Sequence, residues 1–232
     1  MALAHAQPQS GDGGFGSVLL AAAADPAVRK VERTRLRLLA GLARQFHAGV
    51  ERGDLKVSAV TAAAGLAHGT FYRYFADIRA ATEALIEAFA IHVRDELAGA
   101  RDGEAGSRRR VRDATRVYAR LFRDNAALMR CLIGIGGEAT AFARAYRDLN
   151  AIWNRRMAAA IARRRSGKGA AVSPESMLPV AYALGGMIDE FLAQVYLRRD
   201  PALAFLAGDD DAIADLLTDL WLRGAYGEPP PG

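Results

Sequence analysis

The chain has 232 residues, of which 51% are hydrophobic, and its mean hydropathy is close to zero. This composition predicts a soluble globular protein with a sizeable core in one large or two small domains. Cys131 is the single cysteine, which excludes an intramolecular disulfide or a cysteine metal cage and fits a reducing cytoplasm. No run approaches the roughly 18 apolar residues of a membrane span, so we expect a cytoplasmic protein without a membrane partner.

Positive charge is concentrated near the N-terminus. The net charge is +5, yet residues 26–82 alone carry ten Lys or Arg against four Asp or Glu. The ten cations are Arg29, Lys30, Arg33, Arg35, Arg37, Arg44, Arg52, Lys56, Arg73 and Arg79. Such a segment favours a polyanionic partner, although a solvated basic face is an alternative. Farther along, Arg108–Arg110 is interpreted as solvated surface.

The first residues differ in composition from the rest of the chain. Residues 1–28 are rich in Gly, Gln, Ser and Ala and predict a flexible arm. A helix is expected from Glu32 to Gly49, because apolar residues recur there at helical spacing. Arg33 lies in its first turn beside Thr34. A cation there opposes the helix dipole, which favours a functional role.

Residues 56–75 predict two short helices joined by a tight turn. Val57 to Ala64 lacks Pro and Gly, and Gly65 can end a helix in the left-handed conformation. A second helix is expected from His68 to Phe75, with Phe71 and Phe75 on one face. Hydroxyl and cationic side chains occupy its other directions. This is a helix-turn-helix layout.

These residues resemble the DNA-binding signature of the TetR family of transcriptional regulators. The match covers Val60, Ala64-Gly65-Leu66 and the run from Gly69 to Phe75. The resemblance implies an all-α fold with a helix-turn-helix domain at 29–80, a ligand-binding and dimerisation domain at 81–226, and a tail at 227–232. It implies a homodimeric regulator, expected to be a repressor, on a palindromic double-stranded DNA operator.

The resemblance also implies DNA contacts, with tyrosine hydroxyls on phosphates and the start of the second helix at base edges. Two positions depart from the family pattern. Ala67 cannot cap the second helix, and Ile78 stands where the family usually has Lys, so Arg79 is expected to substitute. The expected DNA-binding residues are Arg33, Thr34, Lys56, Ser58, His68, Gly69, Thr70, Tyr72, Arg73, Tyr74 and Arg79.

The rest of the chain reads as further helices, at about 78–99, 108–125, 127–134, 140–165, 174–199 and 211–226. Asp77 and the acidic run at 209–211 are expected N-caps. Gly185-Gly186 inside a long helix predicts a close approach of another helix. In TetR-like proteins the last two helices pair with their copies, so we expect a homodimer through 174–199 and 211–226.

Large apolar residues of the central helices predict a site for a small, largely apolar effector, although such stripes are more often plain core. Asp189 and Glu190 could anchor a cationic group of a ligand, or form a salt bridge at the dimer edge, which is preferred. The expected ligand-binding residues are Tyr118, Phe122, Met129, Phe142, Tyr146, Trp153, Met157, Tyr182, Met187 and Phe191.

Two other classes of function were weighed. Enzymatic motifs such as G-x-S-x-G and H-E-x-x-H are absent from the sequence, and its four histidines are scattered, so we expect neither an enzyme nor a cofactor or metal. A ligand-sequestering or protein-binding helical module without DNA binding stays open because of Ala67 and Ile78.

Overall fold

The computed structural model describes residues 14–100, 107–133, 141–167 and 171–227, with the backbone alone for residues 141–149. The regular elements in these ranges are all helical, which confirms the all-α fold. Shorter turns of 3-10 helix cover Arg52–Asp54, His68–Arg73 and Pro201–Leu206, and a π turn covers Ala193–Arg198. The α-helices are α1 Phe15–Ala24, α2 Lys30–His47, α3 Val57–Ala64, α4 Ile78–Gly99, α5 Arg108–Asp124, α6 Ala126–Leu132, α7 Ala141–Ser166, α8 Pro174–Leu192 and α9 Asp210–Tyr226.

The chain divides into two compact units, Met1–Leu85 and Ile86–Gly232. The division falls inside α4, so this helix contributes residues to both units. None of the helices in the described ranges combines the length and apolarity that a bilayer crossing requires.

The predicted flexible arm is wrong for residues 15–24, which form α1. Its buried residues Phe15, Leu19 and Ala23 are spaced four apart and therefore form one apolar stripe. Helix α1 packs on α2, so closely that a Cβ added at Gly16 would lie 3.6 Å from the Ala40 carbonyl oxygen. Burial of this stripe makes the segment helical despite its low complexity. Residues 1–13 lie outside the described ranges.

Helices α2 and α3 approach each other so closely that one contact requires glycine. A Cβ on Gly41 would lie 2.6 Å from the Val60 carbonyl oxygen. Arg37 Nη2 donates to the Ala64 carbonyl at 2.8 Å, and Arg44 Nη1 donates to the Ala63 carbonyl at 3.3 Å. These guanidinium groups satisfy carbonyls at the negative end of α3.

A row of ion pairs joins α5 to α9 in the second unit. Arg112 contacts Asp215 at 2.6 Å and Asp211 at 2.8 Å, and Arg108 pairs with Asp219. The interpretation of Arg108–Arg110 as surface agrees with the 53% exposure of the Arg108 side chain, which forms its ion pair at the surface. Arg109 also lies on the surface, with 83% of its side chain exposed.

Among the described residues, no helix comes close enough to Gly185-Gly186 to require glycine there, contrary to the prediction. A Cβ at Gly185 would make an ordinary 3.7 Å contact with Asn154 Oδ1, and one at Gly186 would meet nothing within 4 Å. The tight contact lies on α9 instead, because a Cβ on Gly224 would lie 2.7 Å from Leu184 Cδ2.

The expected helix N-caps are confirmed. Asp77 accepts from the Ala80 amide at 2.7 Å, and Asp209 accepts from the Ala212 amide at 2.9 Å. Ala67 makes no side-chain cap hydrogen bond, as its methyl group requires.

Candidate nucleic-acid interface

The turn between the two short helices of the first unit has the geometry that its glycine predicts. Gly65 ends α3 with φ of 64°, in the left-handed region, and the Leu66 amide donates to the Thr61 carbonyl at 2.9 Å. Glycine adopts this conformation without the cost that a Cβ would bring. The chain can therefore leave α3 abruptly and start a second helical segment at once.

The second segment, His68–Arg73, is a 3-10 helix rather than the expected α-helix ending at Phe75. We call it the recognition segment. Phe71 and Phe75 anchor it, since both are buried and their ring centroids lie 5.6 Å apart. Ala67 provides no side-chain cap, and the Thr70 and Tyr74 amides make the tighter 3-10 type of hydrogen bond to the Ala67 and Phe71 carbonyls.

The outward side of the recognition segment is polar and accessible. His68, Gly69, Tyr72 and Arg73 are exposed, and Tyr72 keeps 57% of its surface open. The rings of His68 and Tyr72 contact edge to face at a centroid distance of 5.8 Å. Thr70 and Tyr74 are half-buried beside them.

Three further residues with expected DNA contacts flank this segment on the surface of the first unit. Lys56 and Ser58 are exposed at the start of α3. Arg79 is exposed at the start of α4 and lies 3.8 Å from Glu83. Because exposed ion pairs one helical turn apart are weak, this pairing leaves the guanidinium able to exchange Glu83 for another anion.

Two other expected DNA contacts have partners within the chain. Arg33 Nη2 donates to the Val28 carbonyl at 3.1 Å, and its Nε is buried without a partner among the described residues. The Thr34 hydroxyl donates to the Lys30 carbonyl at 3.0 Å. Both side chains are half-buried. These hydrogen bonds stabilise the first turn of α2, and each side chain keeps part of its surface exposed.

The structure assigns structural roles to several arginines that composition alone counts as basic surface. Arg37 and Arg44 bind carbonyls at the end of α3, as described above. Arg35 lies over the Phe75 ring at 5.8 Å and contacts Glu32 at 3.4 Å. The sequence alone does not predict these roles of Arg37 and Arg44, because the partners lie far apart in the chain and no local pattern indicates them.

The expected ligand-binding residues are distributed unevenly over the second unit. Phe122 and Met129 are fully buried, whereas Tyr182 is 49% exposed on α8 and does not face an interior within the chain. The side chains of Phe142 and Tyr146 lie outside the described part of the structure. Half-buried side chains make up the rest: Tyr118, Trp153, Met157, Met187 and Phe191.

The adjacent acids of α8 have different environments. Glu190 is exposed and forms its salt bridge within the chain, accepting from Arg198 at 2.8 and 3.0 Å. Asp189 accepts from the Tyr118 hydroxyl at 2.8 Å and pairs with no cation among the described residues. Burial raises the pKa of the Asp189 carboxyl, and the Tyr118 hydrogen bond partly opposes that rise.

Comparison with solved structures identifies the architecture. A TetR-like transcriptional regulator from Rhodococcus sp. RHA1 superposes with a TM-score of 0.62 at 19% identity, covering 87% of this chain and all of the other. The chain has the TetR-like fold.

Two other solved structures match most of the chain. FadR from Bacillus subtilis, solved in complex with stearoyl-CoA, gives a TM-score of 0.60 at 12% identity and covers 82% of this chain and 98% of its own. SCO3833 from Streptomyces coelicolor A3, a member of the TetR regulator family, gives 0.50 at 18% identity, covering 84% and 91%. All three neighbours are described as transcriptional regulators. No family model and no curated protein sequence matches the chain.

Proposed function

We propose that this chain regulates transcription by binding double-stranded DNA through the recognition segment. One observation carries the proposal. Phe71 and Phe75 are buried beneath a segment whose other side exposes His68, Gly69, Tyr72 and Arg73. A short, rigidly anchored and polar protrusion of this kind fits the major groove, and the TetR-like fold supports the same placement.

The polar side chains of the recognition segment form two sets, one suited to phosphates and one suited to base edges. The hydroxyls of Tyr72 and Tyr74 can donate to phosphates, which fixes register without reading sequence. His68 and Thr70 stand at the start of the segment, where side chains reach base edges. Gly69 has open space where a Cβ would lie, so the fold itself does not require glycine there. A close approach of the backbone to DNA would require it.

The chain is proposed to act as a homodimer through α8 and α9. Both helices carry large apolar side chains on the surface, namely Tyr182 on α8 and Leu216 and Leu220 on α9. Gly186 lies exposed on α8 with nothing near its Cβ position, which lets a second helix come close. A dimer would present two recognition segments to a palindrome whose half-sites lie about 34–36 Å apart, or a multiple of that.

We further propose that an effector bound in the second unit controls DNA binding, so that the protein acts as a repressor. FadR, a structural neighbour, was solved with stearoyl-CoA, which supports a ligand role for the equivalent unit here. Helix α4 is continuous across the division between the units, so it is the element that can carry a change from one to the other. Ligand binding would shift the population between states that do and do not fit the operator.

Fluorescence anisotropy on labelled duplex DNA tests the proposal. We expect salt-sensitive binding to random-sequence duplex at low ionic strength, followed by selection of a palindromic site. Tyr72→Phe combined with Arg73→Ala should weaken binding to the selected site about tenfold or more, since it removes contacts to charged phosphates.

Arg109→Ala is the matched control, because it removes an exposed cation from the second unit and should leave DNA affinity unchanged. Equal affinity of the double variant and the wild type would show that the recognition segment is misassigned.

A further inference from the structure

The second unit contains a polar group among apolar helices, formed by the half-buried Tyr118 on α5, the buried Asn154 on α7 and the half-buried Asp189 on α8. We call it the Asp189 cluster. Tyr118 and Asp189 are joined directly, by the 2.8 Å hydrogen bond from the tyrosine hydroxyl to Asp189 Oδ1. That contact uses the only hydroxyl proton of Tyr118 and one oxygen of Asp189. The second carboxylate oxygen has no hydrogen bond within the described residues.

Asn154 on α7 supplies a second acceptor, which faces the side of α8 that carries Asp189. Its side chain is buried, with 6% of the residue exposed, and its Oδ1 has no hydrogen-bond partner among the described residues. This oxygen lies 3.7 Å from the Cβ position of Gly185, which is one helical turn before Asp189. Since residues four apart share a helix face, Asn154 Oδ1 and the Asp189 carboxylate are directed to one region.

The chemistry of the cluster is therefore an excess of acceptors with an uncompensated negative charge. Buried acceptors without partners are costly, and a buried carboxylate without a cation is costlier. Asp189 has no ion pair among the described residues, unlike Glu190, which pairs with Arg198. Proteins retain such groups where a ligand completes them.

We propose that the Asp189 cluster binds the primary ammonium group of an otherwise apolar effector. A primary ammonium carries three donors and one positive charge, which match the Asp189 carboxylate and Asn154 Oδ1. The neighbouring Met157 and Met187 pack in the apolar core of the unit and suit the hydrocarbon part. A carboxylate or phosphate ligand would meet acceptor oxygens and be repelled. The inference rests on the proposed function only in taking this unit as the effector site.

Isothermal titration calorimetry with matched eight-carbon probes tests the ligand class: octylammonium, octyltrimethylammonium, octanol and octanoate, all below micelle formation. We expect saturable binding of octylammonium at one per chain, about tenfold or more tighter than octanol and octanoate. Octyltrimethylammonium should bind more weakly than octylammonium because it lacks N–H donors. Absence of octylammonium binding at millimolar concentration, or equal or tighter binding of octanoate, overturns the proposal.

Variants assign the preference to the cluster. Asp189→Asn should abolish the preference for octylammonium over octanol, and Tyr118→Phe should weaken it several-fold. Glu190→Gln is the matched control, since it removes the adjacent exposed carboxylate, and it should keep the wild-type preference. A preference that survives Asp189→Asn or disappears in Glu190→Gln overturns the assignment.

The melting temperature of Asp189→Asn distinguishes a binding role from a structural one, because removal of a stabilising structural carboxylate would lower it. Because burial raises the folded-state pKa of Asp189, its contribution to stability falls as pH rises from the unfolded value through the folded value. Asp189→Asn should therefore melt at a higher temperature than the wild type at pH 7, with a smaller difference near pH 4. A lower melting temperature at pH 7 contradicts the proposal.

The two proposals fail separately. DNA binding of the ligand-free protein is measured by anisotropy, and probe binding is measured without DNA. Octylammonium binding by a protein that ignores every duplex would keep the ligand site and remove the regulator function. DNA binding without any preference for the ammonium probe would keep the regulator function and remove the ligand site.

Discussion

Three glycines of the first unit have different reasons to be glycine. Gly65 has a positive φ, so its requirement comes from backbone conformation. Gly41 lies against the Val60 carbonyl, so its requirement comes from helix packing. Gly69 meets neither condition, because its Cβ position is open and its φ is not positive. Nothing among the described residues therefore requires glycine at position 69, and the proposed approach to DNA would supply a reason.

A pair of alanine substitutions separates folding from DNA binding. Gly41→Ala should destabilise the first unit by about 1–3 kcal/mol, because the new methyl group overlaps backbone that cannot easily move. Gly69→Ala should leave the unfolding free energy within about 0.5 kcal/mol of the wild type, as expected for an open surface position. The same Gly69→Ala change should weaken DNA binding several-fold.

Chemical denaturation and DNA anisotropy on both variants check this expectation. Unchanged DNA affinity of Gly69→Ala would show that the backbone at this position does not approach the duplex. Unchanged stability of Gly41→Ala would show that α2 and α3 can separate without cost.

At the scale of elements, α1 and the paired helices α5 and α9 are held by opposite kinds of contact. Helix α1 has no charged residue and is held by the stripe of Phe15, Leu19 and Ala23. Helices α5 and α9 are joined by arginine–aspartate pairs, and those contacts lower the pKa of the Asp215 carboxyl. Most of these pairs are partly exposed, so salt should weaken them, whereas it should not weaken α1 packing.

Removal of one aromatic ring tests whether α1 is part of the first unit. Phe15 is 4% exposed, so Phe15→Ala should destabilise the unit by about 3–5 kcal/mol, through lost burial and the cavity left behind. Val18→Ala on the same helix is the control, since Val18 is 41% exposed and should change stability little. Denaturant unfolding monitored by far-UV circular dichroism gives both values. Equal effects of the two variants would mean that α1 is not packed on α2.

Helices α8 and α9 carry large exposed apolar side chains within the described part of the molecule. Leu216 and Leu220 are 40% and 44% exposed one helical turn apart, on a helix whose other side is fully buried. Contiguous exposed apolar groups of this kind mark interaction surfaces. A second copy of the chain is the occupant proposed above.

A charge placed on this surface tests the dimer. Leu220→Arg should convert the protein from dimer to monomer in analytical ultracentrifugation, because a buried unpaired charge at an interface is costly. Ile152→Arg is the control, since Ile152 is 45% exposed on α7, outside the proposed interface, and should leave the dimer intact. The monomeric variant should also lose most affinity for a palindromic site while remaining folded. A wild-type chain that sediments as a monomer at micromolar concentration would contradict the proposal.

Local physical chemistry in the sequence was enough to predict the helices, the turn at Gly65 and the buried face of the segment that follows it. Gly65 reveals the turn, and the spacing of Phe71 and Phe75 reveals the buried side of the recognition segment. Asp77 and Asp209 reveal two helix starts. Each of these features depends on residues within one or two helical turns, so a short stretch of sequence is enough to predict it.

The tertiary structure alone decided how distant side chains are used. Residues 15–24, which were expected to form a flexible arm, form α1 because they pack on α2. Arg37 and Arg44 donate to carbonyls of α3 and are therefore not part of a purely solvent-facing basic surface. The tertiary structure also separated the roles of Asp189 and Glu190, which are neighbours in sequence. The carbonyls bound by Arg37 and Arg44 lie 27 and 19 residues away, and Tyr118 lies 71 residues from Asp189, so only packing brings these partners together. Local propensity and spacing contain no information about such contacts.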